Sequence, residues 1–187
     1  MGELSTILVY ILLFLTLYFE VFLLVTYFEE SESFSKTTPV RRSEDEYPSV
    51  TIVVPAWNES KTIGGTIKSL LELDYPTDLL QFYIIDDGST DDTLEVARQF
   101  EVYPQVHVFT KENGGKHTAL NFAILNTTSD LIGCLDADSF VDPKALQEII
   151  PYFDNNTVMA VTPSVQIHKP DNVLQKLQAT EYMIGAF

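Results

Sequence analysis

The chain has 187 residues, of which 45% are hydrophobic, and a formal net charge of -16 at pH 7. This length and composition predict one compact domain with a core of ordinary size. The negative charge excludes a nucleic-acid backbone or an anionic lipid surface as the main partner, because both would be repelled. The single cysteine, Cys134, excludes an intrachain disulfide, and its place in an apolar run predicts a buried thiol.

Residues 4–28 are almost wholly apolar or small, with Glu20 as the only charge. About 20 such residues cross a bilayer core of roughly 30 Å, so this segment predicts a transmembrane helix. It lacks the basic start and cleavage site of a signal peptide. Lys36, Arg41 and Arg42 follow it and no Lys or Arg precedes it, which predicts a cytoplasmic globular part. Glu20 either faces a partner helix or cavity, is protonated, or is rotated towards a protein interface, and its role is left unassigned.

Residues 29–47 are rich in Ser, Thr and charges, which is typical of a linker. Residues 48–187 then alternate short apolar runs with helical patterns, which predicts an α/β fold with a mostly parallel sheet and helices on both faces. The predicted strands are Val50–Pro55, Phe82–Ile85, Val106–Phe109 and Leu131–Leu135. The predicted helices are one containing Ile63, Ile67, Leu70 and Leu71, then Asp91–Phe100, Thr118–Leu125, Pro143–Tyr152 with Asp142 as N-cap, and Val173–Phe187, which lacks a C-cap.

The loops after the four predicted strands hold most of the unusual residues. In such sheets ligands bind beyond the carboxyl ends of the strands. A carboxylate can accept a base N–H, glycines let the backbone approach a ligand, and a lysine offsets phosphate charge. Each loop alone also fits an ordinary turn or helix cap, but together they predict a nucleotide site. The loops are Pro55–Glu59, Asp86–Ser89, Lys111–Lys116 and Asp136–Asp138.

Asp136 and Asp138 directly follow the last apolar run. Because a strand alternates its side chains, both carboxylates can point the same way at its end. Magnesium and manganese favour oxygen ligands and commonly take one or two protein carboxylates, with substrate phosphates and water completing the shell. The pair predicts a metal-held nucleotide diphosphate, although such spacing also arises by chance at the solvated strand ends of acidic proteins.

Four motifs in this order resemble the signatures of family 2 glycosyltransferases, the inverting GT-A enzymes. They are Val-Pro-Ala-Trp-Asn-Glu at 54–59, Ile-Asp-Asp-Gly-Ser-Thr-Asp at 85–91, Asn-Gly-Gly-Lys-His-Thr-Ala-Leu-Asn at 113–121 and Leu-Asp-Ala-Asp-Ser at 135–139. The resemblance runs from about Tyr47 to the end. The third motif and the N-terminal span favour the membrane-embedded branch of hyaluronan, chitin, cellulose and poly-N-acetylglucosamine synthases.

The resemblance implies a donor nucleotide site made of Pro55, Ala56, Glu59, Asp87, Lys116 and Asp136. Within it, the first three hold the uridine, Asp87 contacts uracil and Asp86 supports the loop. Lys116 lies near the nucleotide, and Asp136 lines the donor sugar or the diphosphate. Asp138 binds the cofactor, Mn²⁺ or Mg²⁺.

The implied reaction is transfer of a sugar from a UDP-sugar to a saccharide or lipid-linked acceptor, with inversion. The family's catalytic base and its Gln-x-x-Arg-Trp motif would lie after Phe187, and the surroundings of Glu181 do not match the base motif. We therefore expect a donor-binding half that is inactive alone and is completed by a C-terminal partner or by the rest of the same enzyme.

Other function classes remain open at this stage. A GT-A-like nucleotidyltransferase would carry a basic, glycine-rich loop after the first strand, where this chain has Trp57-Asn58-Glu59. A membrane-tethered, non-catalytic protein with an inherited fold is favoured by the lack of a base. A dinucleotide oxidoreductase is disfavoured, because no Gly-x-Gly-x-x-Gly follows the first strand. Sequons begin at Asn58, Asn126 and Asn155, and in the cytoplasm they stay unglycosylated.

Overall fold

A computed structural model describes residues 2–34, 47–155, 157–166, 172 and 174–178. The chain divides into two compact units, one of residues 1–38 and 162–187 and the other of residues 39–161. The first unit contains helix α1, Gly2–Phe34, and a short helical stretch at 174–178. The rest of the predicted C-terminal helix Val173–Phe187 lies outside the described residues.

Helix α1 contains an apolar stretch, Ser5–Thr26, that is long enough to cross a membrane. At 1.5 Å per residue it spans about 33 Å, close to the thickness of a bilayer core. The side chains described in this stretch are almost all exposed, so no core among the described residues accounts for their apolar character. The helix continues to Phe34 and so includes residues 29–34, which the sequence pattern assigned to the linker. The linker residues 35–46 lie outside the described residues.

The second unit is built on a parallel sheet of four strands in the order β3-β2-β1-β4. The strands are β1 Val50–Ala56, β2 Leu80–Asp86, β3 Val106–Thr110 and β4 Leu131–Cys134. The α-helices are α2 Ile63–Leu71, α3 Thr93–Arg98, α4 Lys116–Asn126 and α5 Ala145–Ile149. Short 3-10 helices cover Thr77–Leu79 and Ile150–Asp154.

The core lies on both faces of the sheet, as the sequence predicted. Ile52 and Val54 of β1 belong to a larger apolar cluster with α2, α3 and α5, while Val53 between them packs with α4 on the other face. This alternation is the two-residue period of a strand that is buried on both sides. Ile63 and Ile67 of α2 are fully buried at helical spacing, which fixes that helix against the sheet.

Pro55 marks the point at which β4 separates from β1. The β1–β4 pairing ends at Val53 opposite Cys134, and the last bond runs from the N–H of Leu135 to the carbonyl of Val53, at 3.0 Å. Two residues further along β1, the backbone nitrogen of Pro55 lies on the edge that faces β4, but proline has no N–H to donate. The ladder of hydrogen bonds between the two strands therefore cannot continue. The chain after Leu135 is therefore free to turn away from the sheet.

The expectation of a buried thiol at Cys134 is wrong, because this side chain is exposed. β4 is an edge strand of the described sheet, and its burial alternates between half-buried and exposed. Cys134 pairs with Val53 and shares its face. The buried residues of α4 on that face, Ala119 and Ala123, pack against β1 and β2 instead of β4.

Candidate functional site

The loops after β1 and β2 are joined by backbone and side-chain hydrogen bonds at the carboxyl edge of the sheet. The N–H of Asp87 donates to the carbonyl of Ala56 at 2.8 Å. Asn58 adopts a left-handed conformation, with φ of 57°, and its N–H donates to the hydroxyl of Ser89 at 2.9 Å. Its side-chain oxygen accepts the N–H of Thr90 at 2.8 Å. The two loops therefore form one rigid wall of the site.

Glu59 lies where this wall meets helix α2. Its carboxylate accepts a hydrogen bond from the hydroxyl of Thr62 at 2.6 Å, and its N–H donates to the hydroxyl of Thr93 at 2.7 Å. The hydroxyl of Thr93 also donates to the carboxylate of Asp91, and the N–H of Ser60 donates to the same carboxylate. These bonds lower the pKa of Asp91 to about 2, against a smaller, opposite effect of burial. These bonds hold the starts of α2 and α3 together, so Glu59 has a structural role at the loop.

Asp86 is buried and connects the loop after β2 to the end of β3. One carboxylate oxygen accepts the N–H of Ser89 at 3.2 Å, and the other accepts the hydroxyl of Thr110 at 3.0 Å. Its carbonyl accepts the N–H of Lys111 at 3.0 Å. The carboxylate and the backbone carbonyl of Asp86 are therefore both hydrogen-bonded within the protein, which is the arrangement that a loop-supporting carboxylate requires.

Asp87 is 4% exposed, and the turn after β3 wraps around its carboxylate. One oxygen accepts the Lys111 ammonium and the N–H of Gly114 at 3.1 Å, and the other accepts the N–H of Gly115 at 2.7 Å. Burial alone would raise the pKa of Asp87. The hydrogen bonds from the ammonium and from the two glycine N–H groups outweigh burial, so the pKa lies below its ordinary 3.8.

The glycine turn before α4 is thus already occupied by an anion from the protein. Gly115 has a φ of 87° and stands at the N-cap, where N–H groups and the helix dipole favour negative charge. The carboxylate of Asp87 takes that position. The N–H groups of Gly114 and Gly115 therefore face Asp87. The expectation that these glycines let a ligand approach the backbone stays a prediction.

Lys116 and Asp136 form an ion pair across the site, between the first residue of α4 and the loop after β4. The hydrogen bond from Lys116 to Asp136 raises the pKa of the lysine, against the opposing effect of burial. Their side chains are 54% and 58% exposed. Ion pairs this exposed contribute about 0–1 kcal/mol, so a ligand can separate the two groups at small cost.

Asp136 and Asp138 lie on a turn that is anchored to the core at its centre. Ala137 between them is buried, and its carbonyl accepts the hydroxyl of Thr66 at 2.8 Å. The N–H of Ser139 closes the turn on the carbonyl of Asp136 at 3.0 Å. The sequence pattern had suggested that strand alternation sets the directions of the two carboxylates. It does not, because both residues lie on this turn beyond the strand. Both carboxylates are exposed just beyond the end of β4.

The described residues contain no cluster of three or more His, Cys, Asp or Glu side chains placed to hold a metal by themselves. The Asp136–Asp138 turn instead offers two exposed, hard oxygen ligands, with a weak contact from Ser139 to Asp138 at 3.4 Å. This donor set fits Mg²⁺ or Mn²⁺, which readily take one or two carboxylates and fill the remaining positions with substrate oxygens and water.

The sequence model described as "Glycosyl transferase family 2" matches residues 51–186, which include all four loops of this edge. The chain belongs to glycosyltransferase family 2. It is 39% identical over 119 residues to the beta-monoglucosyldiacylglycerol synthase of Synechocystis, covering 62% of this chain and 25% of the relative. It is 30% identical over 172 residues to the poly-beta-1,6-N-acetyl-D-glucosamine synthase of Staphylococcus epidermidis, covering 91% of this chain and 41% of the relative. The chain thus spans less than half the length of these relatives.

Solved structures agree with the GT-A fold predicted for this family 2 chain. The mannosyltransferase PcManGT from Pyrobaculum calidifontis, in complex with GDP-Man and Mn²⁺, superposes with a TM-score of 0.56 and 26% identity, covering 78% of this chain and 43% of the other. S. aureus TarS 1–349, in complex with UDP-GlcNAc, superposes with a TM-score of 0.53 and 20% identity, covering 65% and 37%. The fold prediction is confirmed.

Two residues that bond to this edge of the sheet were not singled out by the motifs. Lys111 pairs with Asp87 inside the glycine turn, and Thr66 of α2 holds the Asp136–Asp138 turn. Lys111 follows a strand in a loop already predicted to bind a ligand, but only the fold brings it to a carboxylate 24 residues earlier. Thr66 is a buried helix residue, and no sequence signal connects it with a turn 71 residues later.

Proposed function

We propose that this chain binds a UDP-sugar at the carboxyl edge of its sheet, as part of an inverting transferase that passes the sugar to a saccharide or lipid-linked acceptor. One observation carries the proposal: the loops of all four strands meet there in a single bonded network. Asp87, Lys116 and the Asp136–Asp138 turn all belong to this edge. Membership of family 2 supports glycosyl transfer, and the UDP-GlcNAc held by TarS supports a nucleotide-sugar donor.

The roles proposed for individual residues follow their positions. Pro55 and Ala56 form the floor beneath the nucleoside, while Glu59 fixes the wall beside it through Thr62. The ring N–H of the uracil donates to the carboxylate of Asp87. Lys116 leaves its exposed pair with Asp136 and donates to the diphosphate, which is a short movement for a flexible ammonium.

Asp138 is proposed to bind Mn²⁺ or Mg²⁺, with Asp136 beside it facing the donor sugar or the diphosphate. A divalent cation bound there supplies positive charge to the departing diphosphate. The protein contributes the placement of the two carboxylates, because Thr66 holds the carbonyl between them at 2.8 Å. The Mn²⁺ in the PcManGT complex supports this choice of metal.

The chain is proposed to supply the donor half of the active site and to be inactive in transfer by itself. Its share of the curated relatives' length, 25% and 41% for the two described above, supports this division. A general base must come within hydrogen-bond reach of the acceptor hydroxyl, and we assign it to another part of the complete enzyme or to a C-terminal partner. Sugar transfer by the purified chain alone would refute this assignment.

The domain limits are proposed as a membrane span within residues 4–28, a linker at 29–47 whose first residues, 29–34, continue α1, and a donor-binding domain at 48–187 in the cytoplasm. The basic residues Lys36, Arg41 and Arg42 support this orientation. The sequons at Asn58, Asn126 and Asn155 give an independent measurement. In a eukaryotic expression host with an active glycosylation pathway they remain bare if the domain faces the cytoplasm, and a glycan on any of them reverses the orientation.

Calorimetric titration of UDP into the detergent-solubilised chain, with and without Mn²⁺, tests the donor site. We expect binding that depends on Mn²⁺ and weakens at least tenfold in Asp138→Asn. The matched control is Asp78→Asn, which removes an exposed carboxylate from the 3-10 helix at the amino end of the sheet. Equal losses in the two variants would point to net charge instead of a metal ligand.

The alternative is a membrane-tethered, non-catalytic protein that retains the fold. The same titration separates the two functions. A chain that is folded by circular dichroism but binds neither UDP nor UDP-sugars, with or without Mn²⁺, would favour the non-catalytic alternative.

A further inference from the structure

The buried carboxylate of Asp87 has most of its hydrogen-bonding capacity filled from within the protein. An ionised carboxylate has about four acceptor positions, two on each oxygen. Within the part of the chain that the structure describes, one oxygen of Asp87 accepts both Lys111 and Gly114, and the other accepts Gly115 alone. The pKa of Asp87 is lowered, so the group is ionised and acts only as an acceptor at neutral pH. Three described donors on four positions leave one acceptor position by this count.

Lys111 is held by hydrogen bonds other than the one to Asp87. Its ammonium also donates to the carbonyl of Glu112 at 2.6 Å, and its backbone N–H donates to the carbonyl of Asp86 at 3.0 Å. Gly114 packs directly beside it, since a Cβ built there would lie 3.3 Å from the ammonium nitrogen. The lysine side chain is 24% exposed. The partner of Asp87 is therefore part of the framework of the turn.

The remaining acceptor position distinguishes bases by the number of donors on their reading edge. Uracil presents one ring N–H between two carbonyl oxygens. Guanine presents a ring N–H and an adjacent amino group, which together suit a carboxylate with both oxygens free. With Asp87 only 4% exposed and three positions filled, a single donor can be matched and a pair cannot.

We propose that Lys111 is a positioning residue that, by filling one place on the Asp87 carboxylate, restricts it to a single ligand donor and selects uracil over guanine. The inference rests on the proposed donor-binding function. The inference goes beyond that function by assigning nucleobase selection to a residue that need not touch the nucleotide. The GDP-Man held by PcManGT makes this choice a real one for the fold.

The first test uses the unaltered, detergent-solubilised chain with Mn²⁺ and three nucleotides: UDP, 3-methyl-UDP, which lacks the ring donor, and GDP. We expect UDP to bind at least tenfold more tightly than either of the others. Equal binding of UDP and 3-methyl-UDP would overturn the inference while leaving donor binding intact. Failure to bind any of the three would overturn the proposed function together with it.

The second test measures the ratio of UDP to GDP affinity in variants. Lys111→Met keeps the length of the side chain and removes the donor, so we expect the ratio to fall at least threefold. Lys111→Arg restores a donor and should recover most of the ratio of UDP to GDP affinity. Lys68→Met, an exposed lysine in the last turn of α2, is the control and should leave the ratio unchanged. A drop in UDP affinity with an unchanged ratio would reduce Lys111 to a purely structural residue.

Discussion

Replacing Asp87 with asparagine should destabilise the second unit by removing the charge around which the glycine turn is built. The carboxylate accepts the Lys111 ammonium and two backbone N–H groups from inside the protein. An asparagine has one acceptor oxygen, and its amide NH₂ would face a donor where the second oxygen now accepts Gly115. The substitution is nearly isosteric, so the effect measures bonding and charge instead of packing.

The size of the effect follows from the burial of the two charges. Removing one partner of a fully buried ion pair costs about 3–5 kcal/mol, and a hydrogen bond to a charged group contributes about 1.5–3 kcal/mol. Lys111 is 24% exposed and can recover some hydration when its partner is lost. We therefore expect a loss of about 2–4 kcal/mol in the free energy of unfolding. With a typical urea dependence of about 2 kcal/mol per molar, this moves the midpoint by about 1–2 M.

Urea unfolding of the detergent-solubilised chain, followed by the fluorescence of Trp57, measures this shift. Trp57 is the single tryptophan and follows Ala56, whose carbonyl accepts the N–H of Asp87, so it reports on the site itself. The control is Asp130→Asn, an exposed carboxylate at the other end of the sheet that accepts the N–H and the hydroxyl of Ser49. If Asp87→Asn shifts the midpoint no more than Asp130→Asn does, the turn does not depend on the buried pair.

Three further predictions concern the same edge. Because the pKa of Asp87 is lowered in the folded state, its carboxylate stabilises the fold fully above the ordinary pKa of 3.8, and this stabilisation is lost as the pH falls through the folded pKa. The difference in unfolding free energy between wild type and Asp87→Asn should therefore narrow below about pH 4. A difference that widens there would contradict the shift. Gly115→Ala, at a φ of 87°, should cost about 1–2 kcal/mol in urea unfolding, whereas Gly133→Ala, whose Cβ meets only an ordinary contact at 3.7 Å, should cost less. Thr66→Val removes the donor to the carbonyl of Ala137 and should cost about 1–3 kcal/mol; it should also weaken Mn²⁺-dependent UDP binding, and unchanged binding would show that the turn holds its shape alone.

The sequence predicted the four strands to within about two residues because each is a short, mainly apolar run. Helices at its surface were predicted less well. The helix expected at Asp91–Phe100 is limited to Thr93–Arg98, since the Asp91–Thr93 bonds form a turn before it. The helix expected at Pro143–Tyr152 begins at Ala145 and becomes a 3-10 helix at Ile150, next to Pro151.

The meeting of the four loops was predictable from the sequence, and their internal bonding was less so. Four parallel strands bring their carboxyl ends to one edge of the sheet, so the loops that follow them lie together there. The partners of Asp87 lie 24 to 28 residues further along the chain, and local patterns carry no information about such pairs. The prediction that Asp142 is the N-cap of a helix is wrong, because the N-cap of α5 is Lys144. The carboxylate of Asp142 accepts the N–H of Lys144 at 2.8 Å in the turn before the helix.

The sheet order carries a consequence for the way the chain acquires its site. β1, β2 and β3 follow one another in sequence, whereas β4 joins β1 from about 81 residues away, as in the bond between Ser49 and Asp130. Contacts between distant residues are slow to form, because the intervening chain must first lose its freedom. During synthesis the strands that hold Asp87 can pair while β4 is still inside the ribosome. We expect the Asp87 side of the edge to be assembled first, and the carboxylates of the Asp136–Asp138 turn to arrive last.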